Sequence, residues 1–416
     1  MSLKYIDLFA GAGGLSEGFI RAGFDPVAHV EMDKAACFTL QTRVAYHYLK
    51  SENRFTEYVS YLKGEISRKE LYSRIPAELL GSVINLPVGA ENNPAIHKAI
   101  EKQLKDKEVD LIIGGPPCQA YSLAGRARSK NGMKGDKRNY LYVQYGKYLE
   151  RYKPKMFVFE NVLGLLSAGK GVYLENMRKL FLKKGYDMKV FRLEANDFGV
   201  LQNRKRIIII GWKSELDIEV PDFEAIKMAT AHTVQSLFSD LPKIQAGEGS
   251  RYLNYSSKTN EYLSGKAIRN GIDILTQHIA RPHSVQDKEI YRIAVKKWNN
   301  EGTRLNYNDL PERLKTHQNR ESFMDRFKVV AQDEPFSQTV VAHIAKDGHY
   351  YIHPDIEQNR SLTIREAARL QSFPDDYFFE GVKDGINRTP AFKQIGNAVP
   401  PLMAYEIAKL ISKILT

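Results

Sequence analysis

The chain has 416 residues, 43% hydrophobic and 26% charged, a balance that excludes a disordered chain and leaves room for two or three domains with their own cores. Two cysteines, Cys37 and Cys118, exclude a disulfide framework and point to a reducing compartment. The longest aliphatic run, residues 207–210, is far too short to span a bilayer, and no charged-then-apolar leader precedes the first apolar run. A net charge of +12 favours a polyanionic partner, nucleic acid first among them.

Short apolar runs at 5–9, 27–31, 109–113, 156–160, 188–193 and 207–212 read as strands. Stretches near 15–21, 34–46, 140–152 and 172–184 read as helices. Their alternation predicts an α/β fold with a doubly wound parallel sheet. No helix separates the last two strands, which predicts an antiparallel pair at the sheet edge. Residues 51–108 show no steady pattern and read as an insertion between strands. Between about 213 and 359 the chain is polar, rich in Asn, Ser, Tyr and Lys, and without a period. This predicts a second, smaller domain over 213–389, with 1–212 and 390–416 forming the first. Within it, Thr363-Ile364-Arg365-Glu366 is a capping-box start for a helix reaching about Gln371. An amphipathic helix over about 402–414 closes the chain.

The turn after the first strand, Asp7-Leu8-Phe9-Ala10-Gly11-Ala12-Gly13-Gly14-Leu15, is rich in glycine. Glycines let main-chain N–H groups and a helix N-terminus approach a ligand closely. Glu31 ends the second strand about 20 residues after Gly11, where a dinucleotide fold places the carboxylate that grips ribose hydroxyls. A nicotinamide dinucleotide and S-adenosylmethionine both remain open on this basis. No glycine follows three residues after Gly13, which leans away from a pyrophosphate and towards an adenosine carrier without phosphates.

Cys118 follows Gly114-Gly115-Pro116-Pro117 directly after the strand at 109–113. The thiol is thereby expected at the carboxyl end of a strand, where open α/β sheets keep their ligand crevices. A lone cysteine is more often a quiet core residue, and only its company changes that reading. Glu160 ends the strand at 156–160 and can protonate or hydrogen-bond a ring nitrogen. Gln202-Asn203-Arg204-Lys205-Arg206 leads into the strand at 207–212. In an extended chain Arg204 and Arg206 share a face, and guanidinium forks suit carbonyl, phosphate or carboxylate oxygens. Residues 120–138 carry Arg126, Arg128, Lys130, Lys134, Lys137 and Arg138 and read as a basic loop that closes over the site.

Taken together and in this order, these motifs resemble the DNA (cytosine-5)-methyltransferases across nearly the whole chain. Residues 7–15 resemble the S-adenosylmethionine loop and Glu31 its ribose carboxylate. Pro116-Pro117-Cys118-Gln119 resembles the nucleophile motif, Glu160-Asn161-Val162 the acidic motif, and 202–206 the Q-x-R-x-R motif. Residues 365–374 and 394–401 resemble the ninth and tenth motifs, and the variable stretch falls where that family keeps its target-recognition domain. The resemblance implies a Rossmann-like sheet and methyl transfer from S-adenosylmethionine to C5 of cytosine in duplex DNA, with base flipping and no metal. It implies Cys118 as nucleophile, Glu160 at ring N3 and the exocyclic amine, Arg206 at O2, and Arg204 as support for the nucleophile loop. Cofactor contacts are implied for Phe9, Ala10, Gly11, Gly13, Gly14, Glu31, Met32, Pro117, Leu141 and Asn397, and DNA contacts for Gln119, Ser122, Arg126 and Arg128. The family's third-strand Asp, which binds the adenine amine, has only Asn85 as a candidate. A tRNA cytosine-5 methyltransferase built on the same motifs is the alternative; the length of the variable region favours DNA. The implied setting is a monomeric cytoplasmic enzyme, with a separately acting restriction endonuclease as a possible partner and no membrane.

Overall fold

The structure is a computed structural model that describes residues 2–105, 107–117 and 137–416. Seven strands form one sheet: β1 Lys4–Leu8, β2 Asp25–Glu31, β3 Val83–Asn85, β4 Leu111–Gly114, β5 Met156–Asn161, β6 Tyr186–Glu194 and β7 Lys205–Lys213. Their order is β3-β2-β1-β4-β5-β7-β6. The first five run parallel, and β7 is antiparallel to both β5 and β6. The chain winds outwards from β1 through β2 to β3, then restarts at β4 on the other side. The gap between β1 and β4 is the switch point, where the loops leaving the two strands diverge and open a crevice.

The central strands β4, β5 and β7 carry long apolar runs because both faces of the sheet are covered there, whereas the edge strand β6 keeps Asp187, Lys189, Arg192 and Glu194. Ile6, Leu8, Ile112, Phe157, Phe159, Ile207 and Ile209 point to one layer, with Tyr145, Tyr148 and Leu149 of helix Leu141–Tyr152 and Met177 and Phe181 of helix Val172–Lys183. Tyr5, Leu111, Ile113, Met156, Val158, Ile208 and Ile210 point to the other. There they meet Leu15 and Phe19 of α1 (Gly14–Arg21) and the apolar face of helix Pro401–Leu415. Gly18 lets those two helices touch: a Cβ on it would lie 2.4 Å from that of Ala404.

The reading of 51–108 as an insertion needs correction. Its second half holds β3 and helix Asn93–Leu104, whose Ile96 and Ile100 sit in the core of the sheet layer. A three-residue strand with two buried side chains is too short to leave a pattern. Only the helices between 55 and 80 stand outside the sheet. They pack on α2 (Lys34–Ser51) and against Ile272, Ile274 and Phe378.

Residues beyond β7 build a further core from Val234, Leu237, Leu263, Leu275, Val340, Ile364, Phe373 and Ile395, which also takes in Ala12 and Leu201. Three arginines are buried through its middle. Arg360 donates to both carboxylate oxygens of Glu366 at 2.7 and 2.8 Å. Arg365 donates to the carbonyls of Thr276, Pro374 and Tyr377. Arg369 is clamped between Asp240 and Asp375. Thr363 and Glu366 form the expected reciprocal cap on helix Ile364–Leu370. Glu366 therefore serves the cap and Arg360 at once.

Burial alone would raise the Glu366 carboxyl, but Arg360 and His353 outweigh it and hold the group far below its ordinary 4.5. A depressed folded-state pKa contributes stability that is complete above the unfolded value and is lost as pH falls below it. Glu366→Gln should therefore cost about 3–5 kcal/mol at neutral pH and flatten the fall of stability below about pH 4.5. Denaturant melts across the acid range check both; an unchanged acid limb would remove Glu366 from the account.

Candidate functional site

The loop after β1 is tied to the end of β2. Gly11 N–H donates to Oε2 of Glu31 at 2.8 Å, and Asp33 N–H donates to Oε1 at 2.7 Å. Burial pushes the Glu31 carboxyl up against the pull of these donors. Ala10 N–H reaches the carbonyl of Val30 at 3.1 Å. Asn85, ending β3, spends its amide on the carbonyls of Glu31 and Met32. Beside this cradle Met32 is 64% exposed, an unusual setting for an apolar side chain, and Phe9 is half-buried in a left-handed conformation.

The glycines divide into two kinds. Gly11 faces open space. Gly13 and Gly14 are buried, and the space where a side chain would go is filled by protein: a Cβ would lie 2.9 Å from the Tyr377 hydroxyl at Gly13 and 2.3 Å from the Val399 carbonyl at Gly14. Tyr377 in turn donates its hydroxyl to the carbonyl of Ala12. These two glycines let the segments around 377 and 399 press onto the loop. Under the loop, Asp7 is 1% exposed, and among the described residues its Oδ2 has no partner. Burial, and then the nearby Glu31, push its carboxyl well above the usual range. An orphaned buried acceptor, an open glycine and a carboxylate that accepts from two N–H groups suit a ligand that carries both hydroxyls and an amino group.

Across the switch point, β4 ends at Gly114 and leads into Gly115, Pro116 and Pro117. Gly115 lies against the end of β5, where a Cβ would be 2.5 Å from Oε2 of Glu160. Glu160 Oε1 is 2.7 Å from Nε of Arg206. Both side chains are nearly buried, at 13% and 11% exposure, so this ion pair is poorly screened. Lys205, between the arginines, points the other way and pairs with Glu194 at 2.9 Å. Asn161 is buried and bonds in two directions: it donates to the carbonyl of Pro116 at 3.2 Å and accepts from the N–H of Val162 at 2.9 Å. It thereby fixes the stem that carries Cys118, a role the motif reading did not give it.

Arg204 is fully buried. It donates to the carbonyls of Val340 at 2.7 Å, Gly396 at 3.0 Å and Ala398 at 2.8 Å. Two of these carbonyls flank Asn397, the exposed last residue of helix Arg388–Asn397. Gln202 and Gln371 link side chain to side chain at 3.0 Å. They bond onwards to Leu370, Val340 and Ile395. The segment 337–340, absent from the sequence reading, thus runs beside 202–204. Its apolar and polar residues follow no period that would mark it.

The structure therefore brings Glu160, Arg206 and the Pro116-Pro117 stem together, and gathers Phe9, Ala10, Gly11, Glu31 and Met32 around one loop. Leu141 opens its helix half-buried. Cys118, Gln119, Ser122, Arg126 and Arg128 lie outside the described residues, as does the basic loop apart from its last two positions. The other cysteine, Cys37, is buried, and desolvation and then Glu31 push its thiol up to about 12. Among the described residues no group of three or more His, Cys, Asp or Glu could hold a metal ion, and no helix is long and apolar enough to cross a membrane.

The model of the C-5 cytosine-specific DNA methylase family matches residues 3–58 and 85–413. The stretch between the two matched parts, 59–84, covers most of the helices that stand outside the sheet and reaches into β3. The chain is 42% identical to the type II methyltransferase M.Bpa9945I of Bacillus paralicheniformis, over 99% of this chain and 98% of that one. It is 33% identical to the type II methyltransferase M1.HphI of Haemophilus parahaemolyticus, over 100% and 88%. Among solved structures it resembles a putative DNA modification methyltransferase encoded within a prophage of E. coli, with a TM-score of 0.65 and 25% identity over 100% and 99% of the two chains. The chain belongs to the C-5 cytosine-specific DNA methylase family.

Proposed function

We propose that this DNA (cytosine-5)-methyltransferase acts through a covalent adduct at Cys118, on a cytosine flipped out of the duplex to the carboxyl ends of β4 and β5, beside the switch-point crevice. The observation that carries the reading is the Glu160–Arg206 pair beside the Pro116-Pro117 stem. C5 of cytosine is a poor nucleophile. Attack of the Cys118 thiolate on C6 makes C5 enamine-like. Glu160 binds N3 and the exocyclic amine, and Arg206 the O2, so charge that develops on the ring meets preset partners. Once C5 had taken the methyl of the bound sulfonium, whose carbon–sulfur bond would break to leave the neutral thioether, loss of the C5 proton to a base would expel the thiolate and restore the aromatic ring. The high pKa and burial of Cys37 leave Cys118 as the candidate thiolate.

S-adenosylmethionine supplies an electrophilic methyl when bound. Glu31 would take its ribose hydroxyls, Asp7 and the loop N–H groups its amino-acid end, with Phe9, Met32, Pro117, Leu141 and Asn397 around it. Asn85 occupies the end of the third strand, where the family's Asp would meet the adenine. Residues 213–389 would form the target-recognition domain. Duplex DNA is the macromolecular substrate, flipping costs a few kcal/mol, and phosphate contacts offset that cost. The bacterial relatives are named type II methyltransferases, and the proposed setting is a cytoplasmic enzyme with a separately acting restriction endonuclease as partner.

Duplex DNA that carries 5-fluorocytosine at the target should trap a covalent adduct with wild-type enzyme and cofactor, because the fluorine cannot leave as a proton. Cys118→Ala should form no adduct and no 5-methylcytosine, yet still bind DNA. Methylation by that variant would overturn the thiolate assignment. Arg204→Lys keeps the charge but loses the fork that holds the carbonyls of Gly396 and Ala398. It should weaken binding of S-adenosylhomocysteine about 10-fold, the effect of roughly one charged hydrogen bond. Calorimetric titration checks this, and unchanged affinity would separate Asn397 from the cofactor.

A further inference from the structure

Helix Val285–Glu301 buries Ile290, Tyr291, Ala294 and Val295. It is held in place by the hydroxyl of Tyr291 on His349 at 2.8 Å and the amide of Gln286 on the carbonyl of Leu314 at 3.1 Å. On its opposite side Lys288, Arg292 and Lys296 stand four residues apart, so they form one row. All three are exposed, and among the described residues none has an ion pair. The row borders a groove of about 620 Å³. Of the two carboxylates on the groove, Glu289 is already engaged by Arg313 at 2.7 Å, and Glu357 lies across from the helix. The opposite wall also holds Asn359, which is 7% exposed and whose Oδ1 has no partner among the described residues.

We propose that this cationic row and its groove bind the sugar-phosphate backbone of the DNA duplex, outside the site where the base is modified. The inference rests on the DNA reading above and adds a surface to it. Three unpaired cations in line are complementary to a regularly charged strand, not to a single anion. Eight residues of helix span about 12 Å, and one strand of DNA presents a phosphate about every 3.4 Å along the axis. The row therefore matches a run of three to four phosphates. Val285, 82% exposed, and Ile293 also line the groove and offer apolar surface to sugar faces. A fixed helix presents the charges without the entropy cost of ordering a loop.

The test is the salt dependence of binding to a mixed-sequence duplex three to four helical turns long. The triple variant K288A/R292A/K296A is compared with K69A/K98A/K102A, three exposed lysines elsewhere. Each lowers the net charge from +12 to +9 (12 − 3), so general steering changes alike. Three lost phosphate contacts should make the slope of log K against log salt shallower by about 2–3 in the helix variant, and by less than about 1 in the control. Melting temperatures verify that both variants fold. Equal slopes in the two variants, or a wild-type slope in the helix variant, would overturn the proposal. So would a wild-type slope combined with lost binding to polyglutamate, which would make the row a site for an acidic protein. A wild-type enzyme that neither binds the duplex nor methylates plasmid DNA would overturn the DNA reading itself. Normal wild-type binding and methylation with an unmoved slope would overturn the row alone.

Discussion

One reversal of strand direction sets up the site. Parallel strands all end at the same edge of a sheet, so β1, β2, β4 and β5 deliver their last residues there. An antiparallel strand begins at that edge instead. Because β7 pairs antiparallel with β5, Asn161 faces Ile207, and the residues just before β7 lie beside the residues just after β5. Glu160 and Arg206 meet for this reason, although 46 positions apart in sequence (206 − 160). With β7 parallel, the arginines would emerge at the far edge of the sheet, a strand length away from the carboxylate.

A second constraint is the cost of buried charge. A guanidinium taken out of water must have its donors satisfied or it destabilises the fold. Arg204, Arg360, Arg365 and Arg369 are each at most 1% exposed, and each is surrounded by carbonyls or carboxylates drawn from distant segments. Few arrangements of those segments can satisfy all four. The arginines thus do for residues beyond β7 what alternating aliphatic side chains do for the sheet: they select one packing. Gln202 and Gln371 extend the same logic with neutral groups, since each amide both donates and accepts.

This division explains what could be read from sequence. The long strands were legible because apolar runs between turn residues leave a local trace, and the motifs at their ends were legible because chemistry restricts residue type. The capping box before helix Ile364–Leu370 was legible for the same local reason. β3 was not, because three residues carry no period, and its β-helix unit was absorbed into an apparent insertion. The burial of Arg365 and Arg369 within the ninth-motif stretch was not legible, since nothing local distinguishes a buried arginine from a solvated one. Asn161 sat inside a quoted motif without a role, because its partner, the Pro116 carbonyl, lies on another strand. The resemblance implies Gly13 and Gly14 as cofactor contacts; what it does not reveal is the neighbouring protein packed on the side where a Cβ would be, which only the fold brings there.

Those two glycines, with Arg204, join the glycine loop after β1 to the Glu160–Arg206 pair. Residues two apart on an extended chain share a face, so Arg204 and Arg206 project from one side of the chain entering β7. Arg206 reaches Glu160, while Arg204 reaches the carbonyls around Asn397. The same 396–399 segment is pressed against Gly14 through the Val399 carbonyl, and Gly14 opens the helix that follows the cofactor loop. A displacement of that loop would have to move Val399, then the carbonyls on Arg204, and so the strand end that positions Arg206. Each link is a close contact or a buried hydrogen bond, and close-packed interiors transmit strain instead of absorbing it. The two proposed sites are therefore held in register by backbone, which is why an arginine that need touch neither substrate lies between them.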